Sequence, residues 1–497
     1  MIYNFNLGIG WASSGVEYAQ IYRAKLFRRL GFDAKFIFTD MFPTENLEHF
    51  TSNIGFEDSE IIWLYTFFTD QKISPVTYTL SDLEKSFDRI PLKKTRDKKT
   101  VKYIFEGKDN FYTCYMVDET SDRVHRVEYV SSGLLVRKDY FTYVRSYSEY
   151  YAPLDNKAHM YHRRFFNEDG SLAYEEINDD GNVTYRFKDR ILCGKEQLVA
   201  YMVKCLGLTD NDTIIIDRTT DVGQAILMNA GDARVGVVIH ADHYSEGATD
   251  QDYILWNNYY EYPFSQYKHI DFYIASTDAQ RELLNYQFEK YLGVKPNVVT
   301  IPVGSIDERI YPDRERKNHS LITASRLADE KHIDWIISAV VGAKEAVPDL
   351  TLDIYGKGAN EKSLKKLIAD SQAESYIRLM GQHDLKNIYK DYQAYIAGSM
   401  SEGFGLTLME AVGSGLPIIG FDVPYGNPTF VDQDKNGYLI PVNAKMDGRQ
   451  KVEELKKAIV KLFTEANLEE FSRHSYDVAA DYLTDEVMNK WKALIEK

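Results

Sequence analysis

Short apolar strands alternate with helix-length amphipathic segments in two series along this chain, and a stretch of different period interrupts the first. Over residues 1–65, IYNFNLG, FDAKFIFTD and EIIWLYTFF are the strands; WASSGVEYAQIYRAKLFRRLG and ENLEHFTSNIGF carry apolar residues at helical spacing between them. Such alternation predicts a parallel sheet covered by helices. From about residue 70 to 192 the period drops to two, in VKYIFEG, FYTCYMV, VHRVEYV, LLVRKDYFTYV and VTYRFKD. Asp169–Gly170 and Asp180–Gly181 are hairpin signals. Twelve of the 37 tyrosines fall in residues 101–190, as half-buried strands favour. This segment is expected to be an antiparallel sheet inserted into the first α/β unit. Its basic run Lys93, Lys94, Arg96, Lys98 and Lys99 reads as a patch that touches a partner or, more plainly, as a solvated hairpin tip.

The α/β rhythm resumes near 195 with the helix KEQLVAYMVKCLGL and the strands DTIIIDR, RVGVVIHADH, DFYIAST and NVVTIPVGS. A polar linker, YPDRERKNH, leads into a second series: SLITASR, LTLDIYGKG, YIRLMGQ, AYIAGSM, LPIIGFDV and YLIPV. Residues 451–497 read as helical. The expected fold class is therefore α/β, with two doubly wound Rossmann-like domains facing a cleft and an inserted antiparallel β-sheet domain. The boundaries read as 1–69 with 193–310 for the first domain, 70–192 for the insert, 311–480 for the second domain and 481–497 for a terminal helix. Ligands in such sheets sit outside the carboxyl ends of the strands.

Composition excludes several classes of function. With 59 Lys and Arg against 75 Asp and Glu, the formal charge of −16 opposes general attraction to nucleic acid or anionic lipid. A phosphate-bearing ligand must then be held by a few specific cations. Three cysteines, Cys114, Cys193 and Cys205, are too few and too irregular for a disulfide framework or a zinc site. MIYNFNLGIGW lacks the order of a secretory signal, and no apolar run approaches the roughly 18 residues of a membrane span. These features predict a cytoplasmic protein, with any attachment to the inner face of the membrane made through a partner.

The most specific stretch is SMSEGFGLTLMEAVGSG at 399–415. Glu402 follows the strand AYIAGSM, Gly403 and Gly405 form the turn, and Glu410 falls on the second turn of the helix beginning near Gly405. A glycine-rich strand-to-helix turn lets backbone N–H groups approach an anion. The bland alternative makes Ser401 and Glu402 a cap and Glu410 a surface acid. Arg326 and Lys331, in SRLADEK, occupy the first βα turn of the second series, where a guanidinium and an ammonium suit a diphosphate without a metal. Gly8, Gly10 and Gly15 punctuate the first βα turn of the chain, ahead of Val16. His240 ends the strand RVGVVIH beside Asp242 and His243. The residues alone leave it either a site group or a hydrogen-bonded structural histidine.

With these motifs in hand, the chain resembles the family-4 retaining glycosyltransferases of the GT-B fold. SRLADEK, the paired glutamates eight apart and LMGQH carry that likeness. NLGIGWASSGVEYAQ, VIHADHYSE, DYILWNNYYEY, SEGFGLTLMEA, GFDVPYGN and the insert extend it to the catalytic subunits of bacterial accessory-secretion protein O-GlcNAc transferases. One departure from the broad family is His332, where glycine usually follows the lysine. The resemblance implies transfer of GlcNAc from UDP-GlcNAc to Ser/Thr hydroxyls of serine-rich-repeat adhesins, with retention, no cofactor and no metal, beside a GtfB-like subunit. It implies that Arg326 and Lys331 hold the diphosphate and that Gly403, Phe404, Gly405 and Leu406 contact sugar and phosphate. Glu402 and His240 would face the donor sugar, Glu410 the ribose and Gly381–Gln382–His383 the uracil. Gly15 and Val16 would close on the phosphates. The alternatives are UDP-glucose as donor, or a non-catalytic, GtfB-like acceptor-binding role.

Overall fold

A computed structural model of the chain describes residues 1–10, 15–443 and 445–497. Trp11–Ser14, which the sequence reading places at the head of the first helix, lie outside the described residues. Contacts divide the chain into two units, residues 1–238 with 258–271 and residues 239–257 with 272–497.

In the first unit, parallel strands lie in the order Arg234–Ile239, Thr213–Ile216, Ile2–Asn6, Ala34–Phe38, Ile61–Trp63. The strand order reverses between Ile2–Asn6 and Thr213–Ile216, and a buried polar network fills the carboxyl ends of these two parallel strands. Arg23, from the helix Gly15–Leu30, donates to both oxygens of Asp217 at 2.7 and 3.0 Å and to Asn4 Oδ1 at 2.8 Å. Gln20 Nε2 donates to Asp217 at 2.7 Å, and Asn6 Nδ2 donates to Gln20 at 3.0 Å. Buried charges persist only when paired in this way. The network therefore fixes the helix against the sheet.

The third strand is shorter than its apolar run suggests. After Trp63 the chain turns, with the N–H groups of Thr66 and Phe67 donating to the Trp63 carbonyl. The turn releases the following aromatics to the inserted sheet. Tyr65 stacks on Phe165 at 5.8 Å, Phe68 packs edge-on against Tyr174 at 5.9 Å, and Tyr174 donates its hydroxyl to the Tyr65 carbonyl at 2.7 Å.

The insert is a ten-stranded antiparallel sheet whose strands follow chain order from Lys93–Asp97 to Ile191–Cys193. The expected hairpin turns form at Asp169–Gly170 and Asp180–Gly181. Apolar side chains alternate inward: Val101, Tyr103, Cys114 and Val127 pack with Leu80 and Leu83 of the short helix Leu80–Lys85. The basic run corrects the sequence expectation. Only Lys98 and Lys99 make a hairpin tip, while Lys93, Lys94 and Arg96 lie on an edge strand exposed along its whole length. Charges on an edge strand oppose pairing with another chain.

Among the described residues, a six-stranded parallel sheet of the second unit has the order Ile377–Gly381, Thr351–Tyr355, Ser320–Ala324, Ala394–Ile396, Ile418–Asp422, Gly437–Pro441. In chain order this is 3-2-1-4-5-6, the doubly wound arrangement. Leu321, Leu352, Ile354, Ile396 and Ile419 form a fully buried core with Ile336, Ile337 and Val340 from the helix Ile333–Ala343. A parallel pair, Phe272–Ala275 with Val298–Thr300, also belongs to this unit. The carboxyl-terminal region is helical over Gly448–Thr464, Leu468–Ala479 and Thr484–Ile495. Among the described residues, no helix is long and apolar enough to cross a membrane.

Candidate active site

A doubly wound sheet opens a crevice where its strand order reverses, here between Ser320–Ala324 and Ala394–Ile396. The chain leaves the first of these strands through residues 325–332 and the second through residues 397–405. Their side chains meet: Lys331 Nζ donates to Glu402 Oε2 at 2.6 Å, with the two side chains 16% and 24% exposed. Gly398 allows this approach, because a Cβ there would stand 2.8 and 2.9 Å from the carbonyl oxygens of His332 and Lys331. His332 itself takes the left-handed conformation, φ 43°, that glycine adopts most easily, and its ring stacks on Trp335 at 3.6 Å. The departure from glycine at this position is thus offset by an aromatic contact.

The Glu402 backbone is clamped by a neighbouring strand end. Glu402 N donates to the Pro424 carbonyl at 3.1 Å, and the N–H groups of Tyr425 and Gly426 both donate to the Glu402 carbonyl at 2.7 Å. Gly405, with φ 89°, then starts the helix Leu406–Gly413, whose first turn carries N–H groups and a positive dipole end suited to an anion. Gly403 is half-buried and Phe404 buried. Glu410, on the second turn, is half-buried and accepts the Tyr389 hydroxyl at 3.1 Å. Burial pushes its pKa up to about 7; the Tyr389 hydrogen bond opposes that shift and Asp384 adds to it.

Other expected site residues are placed differently. Arg326 is 78% exposed and pairs with Glu330 on its own turn at 2.9 Å, rather than with Glu402. Gln382 and His383 lie exposed in the turn after Ile377–Gly381, where His383 Nε2 donates to the Met380 carbonyl at 2.9 Å. His240 follows the strand Arg234–Ile239 and is half-buried. Gly15 and Val16 open the first helix of the other unit, exposed and half-buried respectively. Among the described residues, no group of three or more His, Cys, Asp or Glu side chains is arranged to hold a metal ion.

The residues that sequence reasoning did not single out are His243 and Tyr425. Both are buried; His243 Nδ1 accepts the Tyr425 hydroxyl at 3.2 Å and its Nε2 donates to Gln287 Oε1 at 2.7 Å. Desolvation pulls the His243 pKa down to about 4, with the Gln287 contact opposing, so the ring is neutral. GFDVPYGN was the available signal, an apolar strand ending in a proline-led turn.

Comparison with known proteins agrees with this architecture. The model for the GtfA extended beta-sheet domain matches residues 93–189, and that for glycosyl transferases group 1 matches residues 308–469. The chain is 51% identical to the UDP-N-acetylglucosamine–peptide N-acetylglucosaminyltransferase GtfA subunit of Streptococcus gordonii, over 100% of this chain and 98% of that one. It is 52% identical to the subunit of the same name from Streptococcus agalactiae, at the same coverage. The crystal structure of the pneumococcal O-GlcNAc transferase GtfA in complex with UDP and GlcNAc is 50% identical, with a TM-score of 0.90 over 100% of this chain and 98% of that one. A crystal structure of a GtfA/B complex is 51% identical, with a TM-score of 0.97 over 100% of this chain and 99% of that one. Identity of this order across the insert and the group 1 domain alike fixes the assignment: the chain belongs to the GtfA-subunit family of GT-B glycosyltransferases.

Proposed function

We propose that the chain is the catalytic subunit of a retaining protein O-GlcNAc transferase, which moves GlcNAc from UDP-GlcNAc to serine or threonine hydroxyls of a serine-rich-repeat adhesin. A GtfB-like subunit is its partner. The names of the relatives support the reaction, and the GtfA/B structure supports the partner. The observation that carries the reading is the Lys331–Glu402 pair at the reversal of the strand order, next to a helix amino terminus.

The chemistry needs a stabilised leaving UDP and a sugar that tolerates oxocarbenium character. Lys331 and Arg326 hold the diphosphate, together with backbone N–H groups from Gly403 through Leu406. Arg326 sits on an exposed, singly paired turn, so turning toward phosphate costs it little. Glu402 orients the sugar hydroxyls, His240 faces the sugar, Glu410 accepts from the ribose, and Gln382 and His383 border the uracil. The bond from the anomeric carbon to the β-phosphate oxygen breaks as the acceptor oxygen bonds that carbon on the same face. The acceptor proton passes to the departing phosphate oxygen. No metal or cofactor enters this scheme.

The inserted sheet serves partner and acceptor binding, the 311–480 segment holds the nucleotide sugar, and residues 1–69 with 193–310 form the acceptor side. The protein acts in the cytoplasm, with peripheral membrane attachment made by the partner. The test is release of UDP from UDP-GlcNAc and from UDP-glucose, with a serine-rich acceptor and the partner present. Turnover is expected with UDP-GlcNAc and lost in Glu402→Ala. Preference for UDP-glucose, or turnover surviving Glu402→Ala, would overturn the assignment.

A further inference from the structure

Two segments proposed to flank the donor sugar are joined through one tyrosine. Tyr425 N donates to the Glu402 carbonyl at 2.7 Å, in an isolated bridge between the two residues. Its hydroxyl lies 3.2 Å from His243 Nδ1, three residues beyond His240. The ring of Tyr425 is 2% exposed, and it stacks on the His243 ring at 6.0 Å and 18°. A second tie runs parallel: Ser401 Oγ donates to Asp242 Oδ2 at 2.8 Å. The result is close approach of backbones, since a Cβ on Gly403 would stand 3.2 Å from the His240 carbonyl oxygen. The far side of His243 is held as well, by Gln287 at 2.7 Å, and Gln280 Nε2 donates to the Ala241 carbonyl at 2.9 Å.

We infer that Tyr425, acting through His243, is a positioning residue that sets the distance between His240 and Glu402 in the transfer reaction. The hydrogen-bond direction is determined: His243 spends its one N–H on the Gln287 carbonyl oxygen, which leaves Nδ1 to accept the tyrosine proton. Loss of the hydroxyl keeps the ring and its packing, yet removes one of the ties between the 240–243 segment and the Glu402 turn, while Ser401–Asp242 stays in place. Displacement of groups about a reacting centre by even an ångström lowers turnover more than ground-state binding. The diphosphate contacts lie on other residues, so donor affinity should be spared. This inference rests on the transferase reading above.

The experiment is steady-state transfer with UDP-GlcNAc, acceptor and partner for the wild type, Tyr425→Phe, His243→Asn and the double variant Tyr425→Phe/His243→Leu. Tyr425→Phe is expected to lower kcat about tenfold, with the donor KM and the UDP Kd within about twofold of wild type and the melting temperature little changed. His243→Asn, whose side-chain carbonyl can accept the tyrosine proton, should keep more of kcat than Tyr425→Phe. The double variant also loses the His243–Gln287 hydrogen bond, so it should be at least as impaired in kcat as Tyr425→Phe. A Tyr425→Phe kcat within twofold of wild type, or a change confined to KM, would overturn the inference while leaving the transferase reading intact. Absence of transfer by the wild type would instead overturn that reading, and this inference with it.

Discussion

The Tyr389 hydroxyl lies 3.1 Å from Glu410 Oε2, and this hydrogen bond does not outweigh the burial of the carboxylate, which titrates near 7 rather than near 4.5. A raised carboxyl pKa means that the folded chain binds the proton more tightly than the unfolded chain. Folding stability is then unaffected by this group below about pH 4.5, falls as pH rises toward 7, and is level above it. Glu410→Gln should therefore stabilise the protein at pH 8, by up to about 3 kcal/mol, and have little effect at pH 5. Melting curves at the two pH values check this; equal effects at both would contradict it.

The same group links donor binding to protons. A ribose hydroxyl is best accepted by the ionised carboxylate, so UDP binding near pH 6.5 should release a fraction of a proton. Calorimetry in buffers of different ionisation enthalpy measures it, and Glu410→Gln should reduce the difference between buffers to the share contributed by UDP's own terminal phosphate, which titrates at about 6.

Lys331 and Arg326 should separate in their effects. Lys331→Ala leaves Glu402 without its 2.6 Å partner, so both stability and UDP affinity should fall, the former by about 1–3 kcal/mol. Among the described residues, Arg326 pairs with Glu330 on its own exposed turn. Arg326→Ala should leave the melting temperature unchanged and weaken UDP binding at least tenfold. Calorimetric titration with UDP, beside thermal melts, distinguishes the two.

The network behind the first helix is expected to tolerate little. Asp217→Ala removes the buried carboxylate that Arg23 and Gln20 both bond and should cost about 3–5 kcal/mol. A melting temperature within a degree or two of wild type would show that water or a rearrangement compensates.

On the inserted sheet, Lys93, Lys94 and Arg96 keep the edge strand from pairing. Replacing all three with threonine should promote self-association, visible as a concentration-dependent rise in light scattering, while the isolated wild-type subunit stays unchanged under the same conditions.

Much of this organisation was legible in the sequence, for identifiable reasons. The period change at about 70 marked the insert because strand and helix spacings differ, and the doubly wound order follows from alternating strands and helices. Glu402 stood out because a strand end, two glycines and a helix start converge there. The Lys331–Glu402 contact, by contrast, joins residues whose nearness depends on which strands are neighbours, which no local pattern encodes. Tyr425 and His243 are further apart still in sequence, and a buried tyrosine beside a proline reads as ordinary core. The third strand of the first unit was overestimated because Tyr65 and Phe68 look like strand residues but are drawn into the aromatic stack of the insert.

The central claim is tested most directly by the product itself. Incubation of the chain and its partner with UDP-GlcNAc and a serine-rich acceptor, followed by NMR of the anomeric proton on the isolated glycopeptide, reports both sugar and stereochemistry. The account predicts GlcNAc in α linkage to serine or threonine, absent when Glu402→Ala replaces the wild type. A β linkage, a different sugar, or an unmodified acceptor alongside a correctly assembled complex would contradict it.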